Sequence, residues 1–134
     1  MQNQLGMLIS QIENGKRAGL KTIELKEPIP KICFNILKVL YKEGFINGFY
    51  YKTNLQQKNK NIIVLLKYDR SGQSAIKNIK QISRPSKPVY INIKVLWKIK
   101  NGFGIFILST SKGIMTDFDA RLLNLGGEVL LSVT

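Results

Sequence analysis

The first half of the chain places apolar residues at helical spacing in two segments and at strand spacing in three. In the first segment they recur every three or four positions up to Asn14-Gly15, which predicts one amphipathic helix. The residues with this spacing are Leu5, Leu8, Ile9 and Ile12. A short strand, KTIEL (21–25), follows, and a second helix is predicted from Pro30 through Glu43, with Gly44 as its end signal.

Two longer strands complete the first half. The segments FINGFYY (45–51) and NIIVLLKY (61–68) are rich in β-branched and aromatic residues, and the polar stretch KTNLQQKNK (52–60) is predicted to join them as a loop. The second strand is apolar almost throughout, so we expect it to be buried on both sides. The order helix, strand, helix, strand, strand predicts an α+β lobe over residues 1–68.

The second half is predicted to be mostly β. The segment DRSGQSAIKN, within residues 69–80, has the composition of a linker between two lobes. Short strands are predicted at IKQIS, VYINI, GIFILST and GEVLLSV, and a short helix is predicted to begin near Thr116 and Asp117. The sequence therefore predicts an α+β protein of two small lobes, the second spanning residues 81–134.

The chain carries a large excess of positive charge. Its 134 residues include 21 Lys plus Arg, 8 Asp plus Glu and no His, which gives a net charge of +13. Such an excess destabilises a folded chain through self-repulsion unless a polyanion compensates it, so we expect a nucleic acid or an anionic membrane surface as partner. The helices lack the broad apolar face of an interfacial helix, which favours nucleic acid. With no membrane span or removable targeting segment evident, we expect a soluble protein.

The residues needed for metal binding and catalysis are mostly missing. Cys33 is the only cysteine, and without histidine the chain can form neither an internal disulfide nor a usual Cys/His zinc site. A phosphate-binding loop around Lys112 would need the order G-x-x-x-x-G-K-S/T, which is absent. We predict no catalytic residue, no metal or other cofactor, no small-molecule substrate and no membrane partner. A nucleotide-phosphate-binding enzyme, or another basic RNA- or DNA-binding accessory protein, stays as an alternative.

Several basic and aromatic residues outside the last segment are candidates for contact with a nucleic acid. Lys31 and Lys38 fall on the polar face of the second helix, opposite its apolar residues. Lys87 offers a phosphate contact and Tyr90 a surface on which a base can stack. Each of these lysines can equally be an ordinary solvated residue, so the total charge is the stronger observation.

The segment ILSTSKGIMTD (107–117) contains a hydroxyl-rich turn after an apolar strand. Its small hydroxyl side chains are expected to leave the sheet edge there and, with free backbone N–H groups, can bond to phosphate, ribose or a base edge. The lysine adds a positive charge, and the glycine permits close approach. These candidates are Ser109, Thr110, Ser111, Lys112 and Gly113. The alternative is an ordinary turn before a helix capped by Thr116 or Asp117.

The same segment carries a resemblance to a known family. The stretch GFGIFILSTSKGIMTDFDARLLNLGGEVLLSV, in register from Gly102 to Val133, resembles the C-terminal signature of the bacterial-type ribosomal protein S-eight family of the small subunit. Upstream, ISRPSKPVY is similar to the family's I-S-K/R-P-G-x-x-V-Y element, VLYKEGFI to its V-L-x-x-E-G-F/Y-I, and LLKY to its next strand. The resemblance covers essentially the whole chain.

This resemblance implies a two-lobed α+β protein that is not an enzyme. It implies direct binding to the central domain of small-subunit rRNA, early in subunit assembly, with neighbouring small-subunit ribosomal proteins as further partners. It also implies that the S-T-S turn and Glu128, the glutamate of G-G-E, lie on the RNA-contacting face. The I-S-R-P element adds three candidate residues, Ser83, Arg84 and Pro85.

The sequence also departs from the family pattern. The family's opening usually reads like D-x-I-A-D-M-L-T-R-I-R-N-A, whereas Gln11 and Glu13 occupy the two arginine positions here. Ser86 stands where the family usually has a glycine. The loss of basic residues at the first helix, together with abundant Lys, Ile and Asn, suggests an organellar member. The expected location is the small ribosomal subunit, in the mitochondrial matrix rather than in a plastid or a bacterial cytoplasm.

Overall fold

The computed structural model describes residues 3–134 except residues 27, 55, 57, 58, 100, 101 and 103. The helices and strands are, in chain order, α1 (Gln4–Arg17), β1 (Thr22–Leu25), α2 (Lys31–Lys42), β2 (Ile46–Asn54), β3 (Asn59–Leu66), β4 (Ile79–Gln81), β5 (Tyr90–Ile91), α3 (Ile93–Leu96), β6 (Ile105–Thr110), β7 (Gly113–Thr116), α4 (Asp117–Leu122) and β8 (Gly127–Val133). The strands form two antiparallel sheets, so the predicted α+β fold is confirmed.

The first sheet has the strand order β1-β3-β2. Its central strand is β3, in which Ile62, Ile63 and Val64 are all buried. Successive side chains of a strand point to opposite faces, so β3 is buried on both sides, as predicted. The predicted loop at 52–60 is shorter in the structure, because β2 and β3 extend into it, and residues 55, 57 and 58 of that loop lie outside the described residues.

The two long helices differ in how well their ends were predicted. Helix α2 starts directly after Pro30, and Gly44 follows it with φ +81°, as local signals predicted. Helix α1 instead continues past Gly15, the predicted end, to Arg17. Gly15 is buried, and a Cβ there would lie 2.4 Å from the side chain of Ile23 in β1. This glycine therefore allows the helix to approach the strand and does not end it.

The second sheet has the order β4-β8-β6-β7, and β5 pairs with β8 on the same edge as β4. Strand β7 was not predicted, because the segment after the hydroxyl-rich turn was read as leading directly into a helix. Helix α3 was also missed, since Ile93 was placed in the strand VYINI. The side chain of Asn92 accepts a hydrogen bond from the N–H of Val95 and starts this helix, which ends β5 at Ile91.

One hydrophobic core includes residues of both sheets and of α2. Ile36 and Leu40 of α2 belong to the same buried cluster as Val64 of the first sheet and Ile107 and Leu131 of the second. Strand β4 begins at Ile79, inside the segment 69–80 predicted as a linker. The lobe boundaries at residues 68 and 81 stay a prediction, and α2 lies where it contacts both sheets.

A second, smaller cluster lies under α3 and α4. Thr116 caps α4 by accepting a hydrogen bond from the N–H of Asp119. Asp117 has a different role from the predicted cap, because it is buried, forms a 2.9 Å ion pair with Arg121 and accepts a hydrogen bond from the N–H of Phe106. Arg121 also donates to the carbonyl of Leu96, so one buried pair connects α4, β6 and α3.

Candidate nucleic-acid interface

A row of four residues crosses the second sheet at the start of β8. Glu128 lies directly opposite Tyr90 of β5 on one side and Ser109 of β6 on the other, and Ser109 lies opposite Ile114 of β7. Directly opposed residues project from the same face of a sheet. Tyr90, Glu128, Ser109 and Ile114 therefore form one line across four strands, which we call the cross-strand row.

The cross-strand row is the uncovered continuation of the face that carries the main core. Ile107 lies two residues before Ser109, on the same face, and is fully buried in the main cluster. Leu108 and Val129, on the opposite face, are buried in the second cluster. Tyr90 is 73% exposed, and Glu128 and Ser109 are half-buried. The row is thus accessible while its backbone is fixed by packing on both faces.

Two glycines bring the neighbouring strands close to the start of β8. A Cβ on Gly127 would lie 2.3 Å from the carbonyl oxygen of Ser109, and one on Gly126 would lie 2.4 Å from the carbonyl oxygen of Ile91. Contacts that short are not found in real structures, so only glycine fits at both positions. The G-G-E sequence therefore places the Glu128 backbone tightly between β5 and β6.

The carboxylate of Glu128 has no ion-pair or hydrogen-bond partner among the described residues. Four other acidic residues each pair with a lysine or arginine; they are Glu13, Glu24, Asp117 and Asp119. In a chain with a net charge of +13, an unpaired half-buried carboxylate is notable. It can accept hydrogen bonds from a base amino group or a ribose hydroxyl, and it repels phosphate.

Next to the row, β6 and β7 form a hairpin whose turn consists of Ser111 and Lys112, both exposed. This corrects the expectation that Ser109 and Thr110 leave the sheet, because both are members of β6. The Thr110 hydroxyl donates to the carbonyl of Gly113 (2.9 Å) and accepts from the N–H of Lys112 (3.1 Å). The Thr110 side chain therefore stabilises the turn through two hydrogen bonds within the hairpin.

The other two hydroxyls of the S-T-S segment differ from that of Thr110. Within the part of the chain that the structure describes, the Ser109 and Ser111 hydroxyls have no hydrogen-bond partner, so both can bond to a ligand. Gly113 has φ +111°, a conformation that other residues rarely adopt, so this position of the hairpin requires glycine.

A second turn lies near Tyr90. The N–H of Lys87 donates to the carbonyl of Arg84 (2.9 Å), and the N–H of Arg84 donates back (3.3 Å), with Pro85 and Ser86 between them. Ser86 does not have a positive φ, so a serine fits where the family pattern has glycine. Arg84, Pro85 and Lys87 are exposed, and the turn presents two positive charges.

Ser83 differs from the other candidates in this element because it is buried. Its hydroxyl accepts a hydrogen bond from the N–H of Val89 (2.9 Å) and lies 3.4 Å from the Val89 carbonyl oxygen, to which it donates. These bonds connect the two ends of the turn. Ser83 is therefore placed to hold the turn in position and is not on the surface.

The lysine face of α2 lies across a cleft from the cross-strand row. Lys38 and Lys42 line this cleft of about 270 Å³ together with Ile114, the last residue of the row. Lys42 also forms a 3.7 Å ion pair with Asp119, while Lys38 has no acidic partner among the described residues. Lys31 lies seven residues earlier on the helix, about 10 Å away, outside the cleft.

The model of the family described as Ribosomal protein S8 matches residues 3–134. The chain belongs to this family. It is similar to the small ribosomal subunit protein uS8 of Paramagnetospirillum magneticum (41% identity over 133 residues, 99% of this chain and 98% of the relative). It is also similar to the proteins of the same name from Aster yellows witches'-broom phytoplasma (38% over 130 residues, 97% and 95%) and Orientia tsutsugamushi strain Boryong (41% over 133 residues, 99% and 98%).

Family membership confirms the resemblance found in the sequence and, with it, the prediction that the chain is a ribosomal protein and not an enzyme. The structure adds a reason against the enzyme alternative. Lys112 lies at the tip of an antiparallel hairpin, whereas a phosphate-binding loop leads from a strand into a helix whose N-terminus faces the phosphate.

Three further features would indicate another function in the described part of this S8-family chain: a metal site, a membrane-spanning helix and a reactive cysteine. No group of three or more Cys, Asp or Glu residues there is placed to hold a metal ion. None of the described helices is long and apolar enough to cross a membrane. Cys33 is buried, and burial raises the pKa of its thiol above the usual value, which makes it a poor nucleophile.

The structure brings together most of the residues predicted for the site. Tyr90, Glu128 and Ser109 are neighbours in the row, the hairpin tip adjoins it, and Lys38 lies across the cleft. Sequence reasoning missed Asn35 as a cleft residue, because the cleft exists only where α2 meets the unpredicted strand β7. The available signal was the two-residue turn followed by the apolar pair Ile114-Met115, which is typical of a hairpin.

Proposed function

We propose that this chain is a structural constituent of the small ribosomal subunit that binds the central domain of small-subunit rRNA directly and supports subunit assembly and translation. The observation that carries the proposal is the cross-strand row. It places the Glu128 carboxylate between an exposed tyrosine and the Ser109 hydroxyl on a strongly basic protein, and neither of these two polar groups has a partner in the described part of the chain. Membership of the Ribosomal protein S8 family supports the same function.

In the proposed mechanism, uncharged and acidic groups give specificity while cations give affinity. Glu128 accepts from a base amine or ribose hydroxyl, Ser109 and Ser111 bond to base edges or ribose, and Tyr90 stacks on a base. Phosphates are bound by exposed cations, four of them near the row or its cleft and Lys31 further along α2; the four are Lys38, Arg84, Lys87 and Lys112. Four further candidates hold the two turns in shape, namely Ser83, Pro85, Thr110 and Gly113.

Specificity is tested by comparing Glu128→Gln and Ser109→Ala with the unchanged protein on two RNAs. Each change is expected to weaken binding to a central-domain rRNA fragment by at least about 5-fold, since each removes a discriminating contact worth about 1 kcal/mol or more. Binding to an unrelated RNA duplex should change little. Glu24→Gln is the matched control, because Glu24 lies in the first sheet and pairs with Lys52. Equal loss on both RNAs would contradict the specificity role of the row.

The role of the lysines is tested by the salt dependence of binding. Lys112→Ala and Lys38→Ala should each flatten the slope of log affinity against log salt by up to about one unit, on any RNA, because each removes one phosphate contact. Lys52→Ala is the control, since Lys52 pairs with Glu24. An unchanged slope for Lys112→Ala and Lys38→Ala would show that both are solvated.

For the compartment we propose the mitochondrial matrix, with a plastid or a bacterial cytoplasm as alternatives. The support is the loss of basic residues at Gln11 and Glu13 and the Lys-, Ile- and Asn-rich composition. The relatives named above are bacterial. Neighbouring small-subunit ribosomal proteins are the proposed protein partners. Detection of the chain in salt-washed small subunits purified from mitochondria would support the proposal, and its detection only in bacterial subunits would overturn the compartment.

A further inference from the structure

The first sheet has an exposed aromatic stack at its border with α2. Tyr51 of β2 stacks on Phe34 of α2, with ring centroids 5.9 Å apart and planes inclined by 17°. Phe49 meets the same Phe34 ring edge-on, at 5.4 Å and 89°. Phe34 and Phe49 are half-buried, but Tyr51 remains 56% exposed. We call these three residues the aromatic platform.

The position of Tyr51 in the sheet explains this exposure. Phe49 and Tyr51 lie opposite Val64 and Ile62, so both project from the face that carries the core. Phe49 packs against the core, whereas Tyr51 lies two residues further out along β2. The Tyr51 ring stacks on Phe34, and more than half of the surface of this side chain stays exposed to solvent.

Three lysines border the platform. The Nζ of Lys38 lies 4.6 Å from the centroid of the Phe34 ring. Lys31 precedes Phe34 by three residues on α2, and Lys60 is a diagonal neighbour of Tyr51, since it lies opposite Thr53. Among the described residues, none of these three lysines forms a salt bridge with an Asp or Glu. The rim of the platform is therefore positively charged.

We propose that the aromatic platform is a second RNA-binding site, in which an unpaired nucleotide stacks its base on the exposed ring of Tyr51. Lys38 and Lys60 bind the phosphates on either side. An aromatic ring bordered by cations is the combination that binds single-stranded RNA without sequence preference, because every base has a π-face. The exposed ring and the lysines that form no salt bridge within the described residues fit a nucleotide better than an apolar protein segment, which would bury Lys38 and Lys60 without neutralising them.

The platform is distinct from the cross-strand row but continuous with it. Lys38 contacts Phe34 and also lines the cleft that ends at Ile114, so one side chain borders both sites. The inference depends on the proposed function only in that the ligand is RNA. The two sites are separable, because Tyr51 lies in the first sheet and Glu128 in the second.

The test uses the full chain and a fluorescently labelled ten-nucleotide oligouridylate, with affinity measured by fluorescence anisotropy. Tyr51→Leu is expected to weaken binding by at least about 5-fold, the lower limit for loss of one base-stacking contact. Tyr51→Phe keeps the ring and should bind as the unchanged protein does. Tyr50→Leu is the matched control, because Tyr50 is the neighbouring residue on the opposite face of β2, is similarly exposed at 52%, and should have no effect.

Direct stacking is tested with Tyr51→Trp in a Trp97→Phe background, which leaves one tryptophan in the chain. Binding of the oligouridylate should quench the fluorescence of the tryptophan at position 51. Unchanged affinity in Tyr51→Leu, equal losses in Tyr51→Leu and Tyr50→Leu, or no quenching would each overturn the platform. The Glu128→Gln comparison uses structured rRNA and does not involve Tyr51. It can therefore support the proposed function even if the platform does not bind the oligouridylate, so the two inferences are tested separately.

Discussion

Ser109 and Glu128 lie directly opposite each other on β6 and β8, and Gly127 lets the two strands meet there without a side chain between them. Among the residues that the structure describes, neither the Glu128 carboxylate nor the Ser109 hydroxyl has a partner, and both lie on a surface fixed by buried residues beneath it. A hydrogen-bonding ligand therefore finds donor and acceptor side by side. Their spacing is set by the register of the sheet and not by a flexible loop.

Gly127→Ala should disrupt this pairing. The added methyl would lie 2.3 Å from the Ser109 carbonyl oxygen, which is backbone and cannot move without displacing β6. We expect a loss of about 1–3 kcal/mol in the free energy of unfolding, typical of overpacking, and weaker binding to the rRNA fragment. Urea unfolding and anisotropy measure the two effects. An unchanged urea midpoint would show that the strands are less closely fixed than described.

Thr110→Val separates turn stability from RNA contact. The change keeps the β-branched shape but removes the hydroxyl that bonds to Gly113 and Lys112. We expect it to lower the free energy of unfolding by about 1–2 kcal/mol. Ser111→Ala, one residue away, should change stability by less than about 0.5 kcal/mol while still weakening RNA binding. The reverse pattern would exchange the roles of the two residues.

Arg121→Met should be among the most destabilising changes in α4. It leaves Asp117 as a buried carboxylate without its cation, which costs about 3–5 kcal/mol when one partner of a buried pair is removed. Lys42→Met breaks the exposed pair with Asp119 and should cost at most about 1 kcal/mol. The double variant Asp117→Asn, Arg121→Met should recover part of the loss. Thermal or urea unfolding of the four proteins distinguishes these outcomes.

Cys33 provides a pH-dependent check on the core. Burial raises the pKa of its thiol, so the folded state holds the proton at pH values where the unfolded state ionises. Its contribution to stability is therefore complete at pH values below the pKa of the unfolded thiol and is lost as the pH rises through the higher pKa of the folded one. Labelling with a disulfide reagent at pH 8 should be slow in the folded protein and fast in urea.

An added Ser10→Cys thiol is the control for that experiment, because Ser10 is exposed on α1. Only this second thiol should react at once in the folded protein. Immediate reaction of two thiols would mean that Cys33 is accessible to the reagent and not buried.

Local signals in the sequence were sufficient for α2, where Pro30 and Gly44 define both ends. They failed at α1 because Gly15 serves a contact with β1 that only the folded chain makes. Strand β7 was missed for a similar reason, since a four-residue strand is defined by its pairing with β6 and not by its own periodicity. Elements that depend on tertiary contacts are the ones that sequence spacing predicts least well.

In the candidate site, too, the sequence predicted individual residues but not the arrangement that tertiary contacts give them. The residues of the S-T-S turn and Tyr90 were candidates because of their chemistry, and the family resemblance supported the turn and added Glu128. Their alignment in one row depends on the register between strands that are far apart in the sequence, which a spacing pattern does not contain. The burial of Ser83 was also unpredictable, because a serine beside an exposed arginine gives no sign that its hydroxyl bonds to Val89.

Helix α2 contributes buried residues to a core that both sheets share. The aromatic platform and the cross-strand row are therefore held at a constant distance before any ligand arrives. A chain preorganised in this way loses little conformational entropy when it engages RNA at two places, since no hinge has to be immobilised. The chain therefore also selects RNAs by shape. Only an RNA in which the unpaired nucleotide and the segment bound at the cross-strand row are the right distance apart can occupy both sites at once.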